Sequence, residues 1–480
     1  MKLSKLYKEI VLDDSFNNWK KLFIYYMQVN KAHTLMLKKA RIVSEDILAQ
    51  IAQALRKIEK EQIGGDLPEQ VEDLVFLVER RMAELIGVEK AGFLHTARSR
   101  NDVDATVFRI CVREELMRFC RYMVTLVEAL IQKAENSIET LTLLYTHGQP
   151  AQVSSFAHYL LSFVFDLIET LDALYQSLHT VNLCPMGSGA ITTTGFPIDR
   201  KLVSDYLGFS KPVENSYRAI VTSHWIIMPS TVLKTLMNDL TRLVQDFIHK
   251  SSCEVGILQF PDDLVQISSI MPQKRNPVVL EHIRIRADTA NGIFNTVEQS
   301  FMNTAYQDVN ENGDFVLFKF LEAVKIAKEA LQLAQEVFQK VKVDENRVKD
   351  LALKTGATTT ELADELVRRF GISFRQSHSL VSDYVKAGMK YGVIKEKFEQ
   401  LFGMKFNLTQ EQVNEILSSE NFVQVRKVLG GPYKDQVLEM IKQAQMRTKD
   451  INEKLLSLSE QVALSLTRLE KDFDELLQPK

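Results

Sequence analysis

An all-α fold is predicted by three observations: glycine and proline are scarce, two long stretches lack both, and apolar side chains inside those stretches recur every three or four residues. Only 19 Gly and 11 Pro punctuate 480 residues, with neither between Gly92 and Gly148 nor between Gly313 and Gly356. Such gaps far exceed a strand of ~5–6 residues, so they must hold long helices. The length is too great for one compact core, which implies several domains or an extended bundle. We divide the chain into an N-terminal helical unit (1–104), a central long-helix bundle (105–355) and a C-terminal helical unit (356–480).

In the first unit a helix should begin at Ser44, a residue able to cap orphan amides, with Glu45 and Asp46 favouring the positive helix end. Its apolar stripe is Ile47, Ile51, Leu55 and Ile58, and Gly64-Gly65 should stop it. The central unit opens with the helical pattern of residues 107–141, and segments 232–250 and 314–340 read the same way. Helices of this length bury their apolar stripes against one another, hence a bundle. The third unit opens with Thr358-x-x-Glu361, a capping-box pattern, followed by modest helices separated at Gly371, Gly388 and Gly403.

Charge narrows the function. With 59 Lys+Arg and 62 Asp+Glu the formal net charge is −3, which argues against bulk electrostatic binding to nucleic acid. The four cysteines, Cys111, Cys120, Cys184 and Cys253, form no C-x-x-C pair and are too few for a disulfide scaffold. The first residues break their apolar groups with charges, and no stretch approaches the ~18 apolar residues of a membrane helix. A cytoplasmic protein with no membrane or nucleic-acid partner is expected.

Three polar, irregular stretches interrupt the helices. They are His95-Thr-Ala-Arg-Ser99-Arg100-Asn101-Asp102, Tyr145-Thr146-His147-Gly-Gln149-Pro-Ala-Gln152, and Ser268-Ser269-Ile-Met-Pro-Gln-Lys274-Arg-Asn276-Pro277 followed by Glu281. Irregular backbone must find partners for its amides, so polar loops in a helical protein suggest function. Ser99, Arg100, Asn101, Lys274 and Asn276 are donors suited to carboxylates. His147 ionises near neutrality and is the natural proton-transfer group. Ser268 and Ser269 could act as nucleophile or base, but no Gly-x-Ser-x-Gly elbow surrounds them. Without a Walker loop, G-x-G-x-x-G or H-E-x-x-H, no nucleotide, metal or other cofactor is expected. The stretch Pro185-Met-Gly187-Ser-Gly189-Ala190, leading to Phe196-Pro-Ile-Asp-Arg200, reads as a turn rather than a reagent.

On these residues the chain resembles the fumarase/aspartase superfamily, and within it the argininosuccinate lyases. The Ser268–Pro277 stretch is similar to the superfamily's mobile-loop motif, and His95–Asp102 and Pro185–Arg200 are similar to the argininosuccinate lyase versions of two others. Phe374-Arg-Gln-Ser-His378 is similar to that family's C-terminal domain. The likeness runs from about residue 15 to 435.

What the resemblance implies is cleavage of a C–N bond by β-elimination, releasing fumarate from an N-substituted aspartate. On the family pattern Ser268 would be the general base. His147 would assist protonation of the leaving nitrogen, and Glu281 would pair with His147. Lys274 and Asn276 would stabilise the developing carboxylate charge. Ser99, Arg100, Asn101, Thr146, Gln149 and Ser269 would complete the substrate contacts. The resemblance also implies a homotetramer whose sites form where subunits meet.

The chain departs from the family pattern at several places, most tellingly at the amine end (Trp19, Tyr26 and 305–310). Trp19 and Tyr26 occupy acidic places, Val75 replaces a histidine, Ala305–Asn310 replaces a Tyr-Asn-Lys-Asp-Leu-Gln pattern, Arg218 stands for an aspartate, and Ile267 precedes the serine pair in place of glycine. A guanidinium wants carboxylate partners or an aromatic face, and Trp19 and Tyr26 would offer the second. The alternatives are an adenylosuccinate lyase-type enzyme and a non-catalytic scaffold that keeps the architecture.

Overall fold

The computed structural model describes residues 4–62 and 71–477. Seven long helices dominate: α1 (Asp13–Lys39), α2 (Arg100–Glu135), α3 (Phe156–Val181), α4 (His224–Ser251), α5 (Val278–Ser300), α6 (Asp314–Lys340) and α7 (Lys434–Asp474). The segments read as helical at 232–250 and 314–340 are α4 and α6. Helix α2 packs on α3, α3 on α4, α4 on α5, α5 on α6, and α6 returns to α2. Their interior is filled by fully buried phenylalanines, among them Phe119, Phe156, Phe247, Phe294, Phe320 and Phe338. Phe247 meets Phe338 edge to face at 5.4 Å between ring centroids.

The sequence expectation fails at 136–155. The helix read through residue 141 ends at Glu135, and the chain then forms an antiparallel hairpin of β1 (Leu141–Thr146) and β2 (Gln149–Ser155). Its two turn residues, His147 and Gly148, have φ of 51° and 73°. Two consecutive positive φ values give the turn that matches strand twist, and glycine accepts one of them without strain. Lys250, buried in the last turn of α4, donates from Nζ to the Leu143 carbonyl at 2.8 Å and lies over the Tyr145 and Tyr159 rings. The hairpin is thereby fixed to the bundle.

Two expected caps are built differently. A helix does run over Glu45–Glu61 from Ser44, with Ile51, Leu55 and Ile58 buried, but the Ser44 side chain makes no capping bond. The expected stop at Gly64-Gly65 lies outside the described residues. Thr358 does not cap the Thr359–Phe370 helix either; its Oγ1 donates to the Leu417 carbonyl at 2.8 Å. Glu361, read as the other half of that box, is buried and bound by Arg368 and Arg426. Gly371, Gly388 and Gly403 follow the helix ends with positive φ, as C-terminal glycines do.

Residues 362–416 enclose a second, small core, in which Phe398 is fully buried among Phe370, Phe402 and Phe406. The last long helix is not part of it. Helix α7 lies along α2 and α3, with Val437, Ile441, Ala444 and Ile451 in the main core, so the expected 356–480 unit is divided by packing. Phe398→Ala is expected to cost about 3–5 kcal/mol, because deleting a buried ring leaves a cavity. Thermal unfolding should then show an early transition confined to the small core.

Candidate active site

Among the described residues, the sequence-selected side chains fall into three groups.

The first group is built at the start of α2. Ser99 is the N-cap: its Oγ accepts from the Asn101 amide at 3.4 Å, while its own amide donates to Asp102 Oδ1 at 2.9 Å, forming a capping box. Asp102 is fully buried, and its Oδ2 accepts from the Gly187 and Gly189 amides, each at 2.9 Å. The 185–190 stretch is thus the turn expected, docked on the carboxylate that ends α2's first turn. Burial pushes the Asp102 carboxyl up to about 6 against the pull of those three amides. Asn101 donates from Nδ2 to Asp308 at 2.8 Å and to the Ala190 carbonyl at 3.4 Å. Arg100, half exposed, pairs with Asp73 at 2.9 Å. Arg98 is buried instead, donating to Asn30 at 2.6 Å and reaching Glu79, a structural role.

Beside this turn lies the segment whose amine-end residues looked altered. Trp19 and Tyr26 are not free aromatic faces: both are buried, with Trp19 Nε1 donating to Asp314 at 2.6 Å and the Tyr26 hydroxyl bonded to Asp104. Val75 is buried. The Tyr217 hydroxyl donates to the Tyr306 carbonyl at 2.6 Å, fixing the strand of chain that carries Asp308. Four carboxylates (Asp73, Asp104, Asp308 and Asp314) therefore surround Arg100, Asn101, Trp19 and Tyr26. Sequence reasoning did not assemble these acids because they come from three separated stretches, at 73, 104 and 308–314.

Burial raises the Asp104 carboxyl to about 8; Asp73 and Asp314 push the same way, while the Tyr26 bond and Arg100 oppose them. Its folded pKa thus lies above that of the unfolded chain, so the native state holds this proton more tightly. Asp104 therefore contributes most at low pH, and its contribution is lost as pH rises from about 4 to about 8. Asp104→Asn should flatten the pH dependence of Tm across that window by a few degrees, measured by scanning calorimetry.

The second group sits on the hairpin tip. Thr146, His147 and Gln149 are all exposed there. The third is the loop between β3 (Gln266–Ile267) and β4 (Arg275–Asn276), which runs into α5. Ser268 Oγ accepts from the Met271 amide at 3.0 Å and the Ile270 amide at 3.4 Å, and the Ser268 amide donates to the Lys274 carbonyl at 3.2 Å. Ser269 and Lys274 are exposed, and Asn276 is partly buried at the base of the loop. Glu281 lies exposed in the first turn of α5.

Ser268 and Lys274 are therefore brought together, as are Ser99, Arg100 and Asn101. Within one chain no hydrogen bond or ion pair among the described residues joins one group to another, and Glu281 makes none with His147. The other histidines read as structural behave so where they have partners. His33 is buried against the Thr96 carbonyl at 3.0 Å, and burial drives its pKa down to about 3. His158 spans the Ser154 hydroxyl and the Gly430 carbonyl.

A helical fold of this kind is also found among proteins of known sequence and structure. The family model described as "Lyase" matches residues 9–292, and that described as "Argininosuccinate lyase C-terminal" matches residues 356–424. Argininosuccinate lyase 2 of Agrobacterium fabrum is 37% identical over 90% of this chain and 88% of its own length. Argininosuccinate lyase of Methanococcus maripaludis strain C5 is 31% identical over 93% of this chain and 92% of its own. In fold, the chain is similar to EDDS lyase in complex with formate, with TM-score 0.85 and 24% identity over 100% of this chain and 97% of that one. It is also similar to a class II fumarase from Schistosoma mansoni, with TM-score 0.66 and 16% identity over 83% and 90%.

These matches and the fold define the class: the chain belongs to the lyase family of the fumarase/aspartase superfamily, as an argininosuccinate lyase-like member. It is a carbon–nitrogen lyase. Among the described residues no helix is long and apolar enough to cross a membrane.

Proposed function

We propose that the chain releases fumarate from an N-substituted aspartate, argininosuccinate or a related N-succinyl amine, by β-elimination. Ser268 removes the proton beside a carboxylate. Lys274 and Asn276 hold the charge that develops, and Ser269 lines the same loop. His147, tuned by Glu281, assists protonation of the leaving nitrogen. Ser99, Asn101 and Thr146 grip the fumarate half at the end opposite Lys274, and Arg100 and Gln149 bind the remainder of the substrate.

The observation that carries this reading is the pair of amides on Ser268 Oγ. A seryl hydroxyl is a poor base unless its ionised form is stabilised, and two preorganised N–H donors aimed at the oxygen favour that form. The Lys274 ammonium on the same loop adds positive charge once the site closes and water leaves.

Within one chain no hydrogen bond or ion pair among the described residues joins the three groups, so the reading includes assembly into a homotetramer with each site shared between subunits. An exposed stripe on α5, comprising Ile285, Thr289, Gly292 and Thr296, supports it, because such side chains permit close helix contact. The expected result of sedimentation is a particle of about four chains.

For the amine half, Asp308, bonded by the neutral Asn101 amide, suits a cationic amine, whereas Asp73 is already paired with Arg100. Fumarate release, followed by ultraviolet absorbance, from argininosuccinate and a panel of N-succinyl amines tests both halves. Release from cationic members is the expected outcome, and no release from any member would refute the reading.

A further inference from the structure

We propose that Asp102 is a positioning residue: its carboxylate locks the 185–190 turn against the first turn of α2 and so holds Asn101 in the orientation that binds the fumarate half. This rests on the functional reading above, in which Ser99 and Asn101 grip that half. Both carboxylate oxygens are committed, Oδ1 to the Ser99 amide and Oδ2 to the Gly187 and Gly189 amides, all at 2.9 Å. The group is fully buried and touches no solvent through which it could act directly on substrate. Its neighbour Asn101 is tied to the same turn through the Ala190 carbonyl.

The turn is shaped for this contact. Gly187 and Gly189 have φ of 82° and 61°, and a Cβ on Gly189 would stand 2.7 Å from the Thr193 carbonyl oxygen. Arg200 fastens the far side, donating to the Met186 carbonyl and the Ser188 hydroxyl, each at 3.1 Å. Neither glycine can carry a side chain without moving the amides off the carboxylate.

Asp102→Asn is nearly isosteric but cannot satisfy the site, because all three partners are donors. Whichever way the amide turns, an NH2 meets an N–H, either at Ser99 or at the two glycines. Either choice breaks one side of the lock, the cap of α2 or the 185–190 turn, and so loosens the mounting of Asn101.

The test is fumarate binding to the full-length protein by calorimetry, for wild type, Asp102→Asn, Asn101→Ala and the double variant. Asp102→Asn should weaken fumarate at least tenfold, and the double variant should be no weaker than Asn101→Ala alone, since groups acting through one contact are non-additive. Hydrogen exchange should quicken in the peptide spanning residues 99–106. Should Asp102→Asn fail to fold, Gly189→Ala, which shifts the turn and leaves the carboxylate, should show the same tenfold loss. Undiminished fumarate binding, or a double variant whose losses simply add, would overturn the positioning role while leaving the lyase reading intact. A wild type that binds no fumarate would overturn both.

Discussion

Ser268→Ala is expected to lower kcat by roughly 10²–10⁴-fold, the usual contribution of a positioned general base. The protein should stay folded, with Tm within a degree or two of wild type. That contrast follows from where the residue sits. Ser268 lies on an exposed loop closed by a two-residue ladder of β3 with β4, so removing its hydroxyl opens no core cavity. What disappears is the acceptor of the Met271 and Ile270 amides. Ser268→Cys is informative beside it: a thiol ionises far more readily than a hydroxyl, so a variant retaining measurable turnover with an acid-shifted pH profile supports proton abstraction at this position. Full activity in Ser268→Ala by the fumarate assay would remove the serine from the mechanism.

Helical architecture was legible in the sequence because it depends on a pattern that extends over many residues. Two gaps free of Gly and Pro, each several turns long, cannot be strands, and α2 and α6 occupy them. The hairpin at 141–155 was hidden for the same reason. Leu141–Tyr145 continues the apolar run of α2 without a breaker, and the first glycine appears only at the turn. The available cue was local: alternating Leu-Thr-Leu, then His147-Gly148, a two-residue connection of the kind that closes hairpins.

Capping patterns failed for a different physical reason. Thr358 and Glu361 fit a capping box in sequence, but tertiary partners compete for their polar atoms. The Leu417 carbonyl takes the hydroxyl, and Arg368 with Arg426 takes the buried carboxylate. Local hydrogen bonding is a weak preference that long-range contacts override.

The candidate site divides along the same line. Residues contiguous in a motif stay together, as Ser268 with Lys274 or Ser99 with Asn101. The acids that close in on them, Asp73 and Asp308, come from two other stretches, and only folding brings them near. Trp19 and Tyr26 show the cost of reading such residues singly. Each looked like an exchange of acid for aromatic ring, yet each is buried and hydrogen-bonded to an aspartate elsewhere in the chain.

Mixing two inactive variants should restore activity, and this separates a shared site from one contained in a single chain. Take Ser268→Ala and His147→Asn, each expected to fall at least ~100-fold alone. If Ser268 and His147 of one site come from different subunits, some sites in a mixed tetramer receive the intact serine from one chain and the intact histidine from another. With random reassembly of equal amounts, each of the two required positions is filled correctly half the time, so about a quarter of sites regain both groups. Activity should therefore climb to about a quarter of wild type after joint denaturation and refolding, far above either parent. The geometry motivates the expectation: the hairpin tip and the β3–β4 loop are exposed, and neither bonds to the other within one chain. Were both groups drawn from the same subunit, no arrangement of the two variants could unite them, and the mixture would stay at the level of its parents.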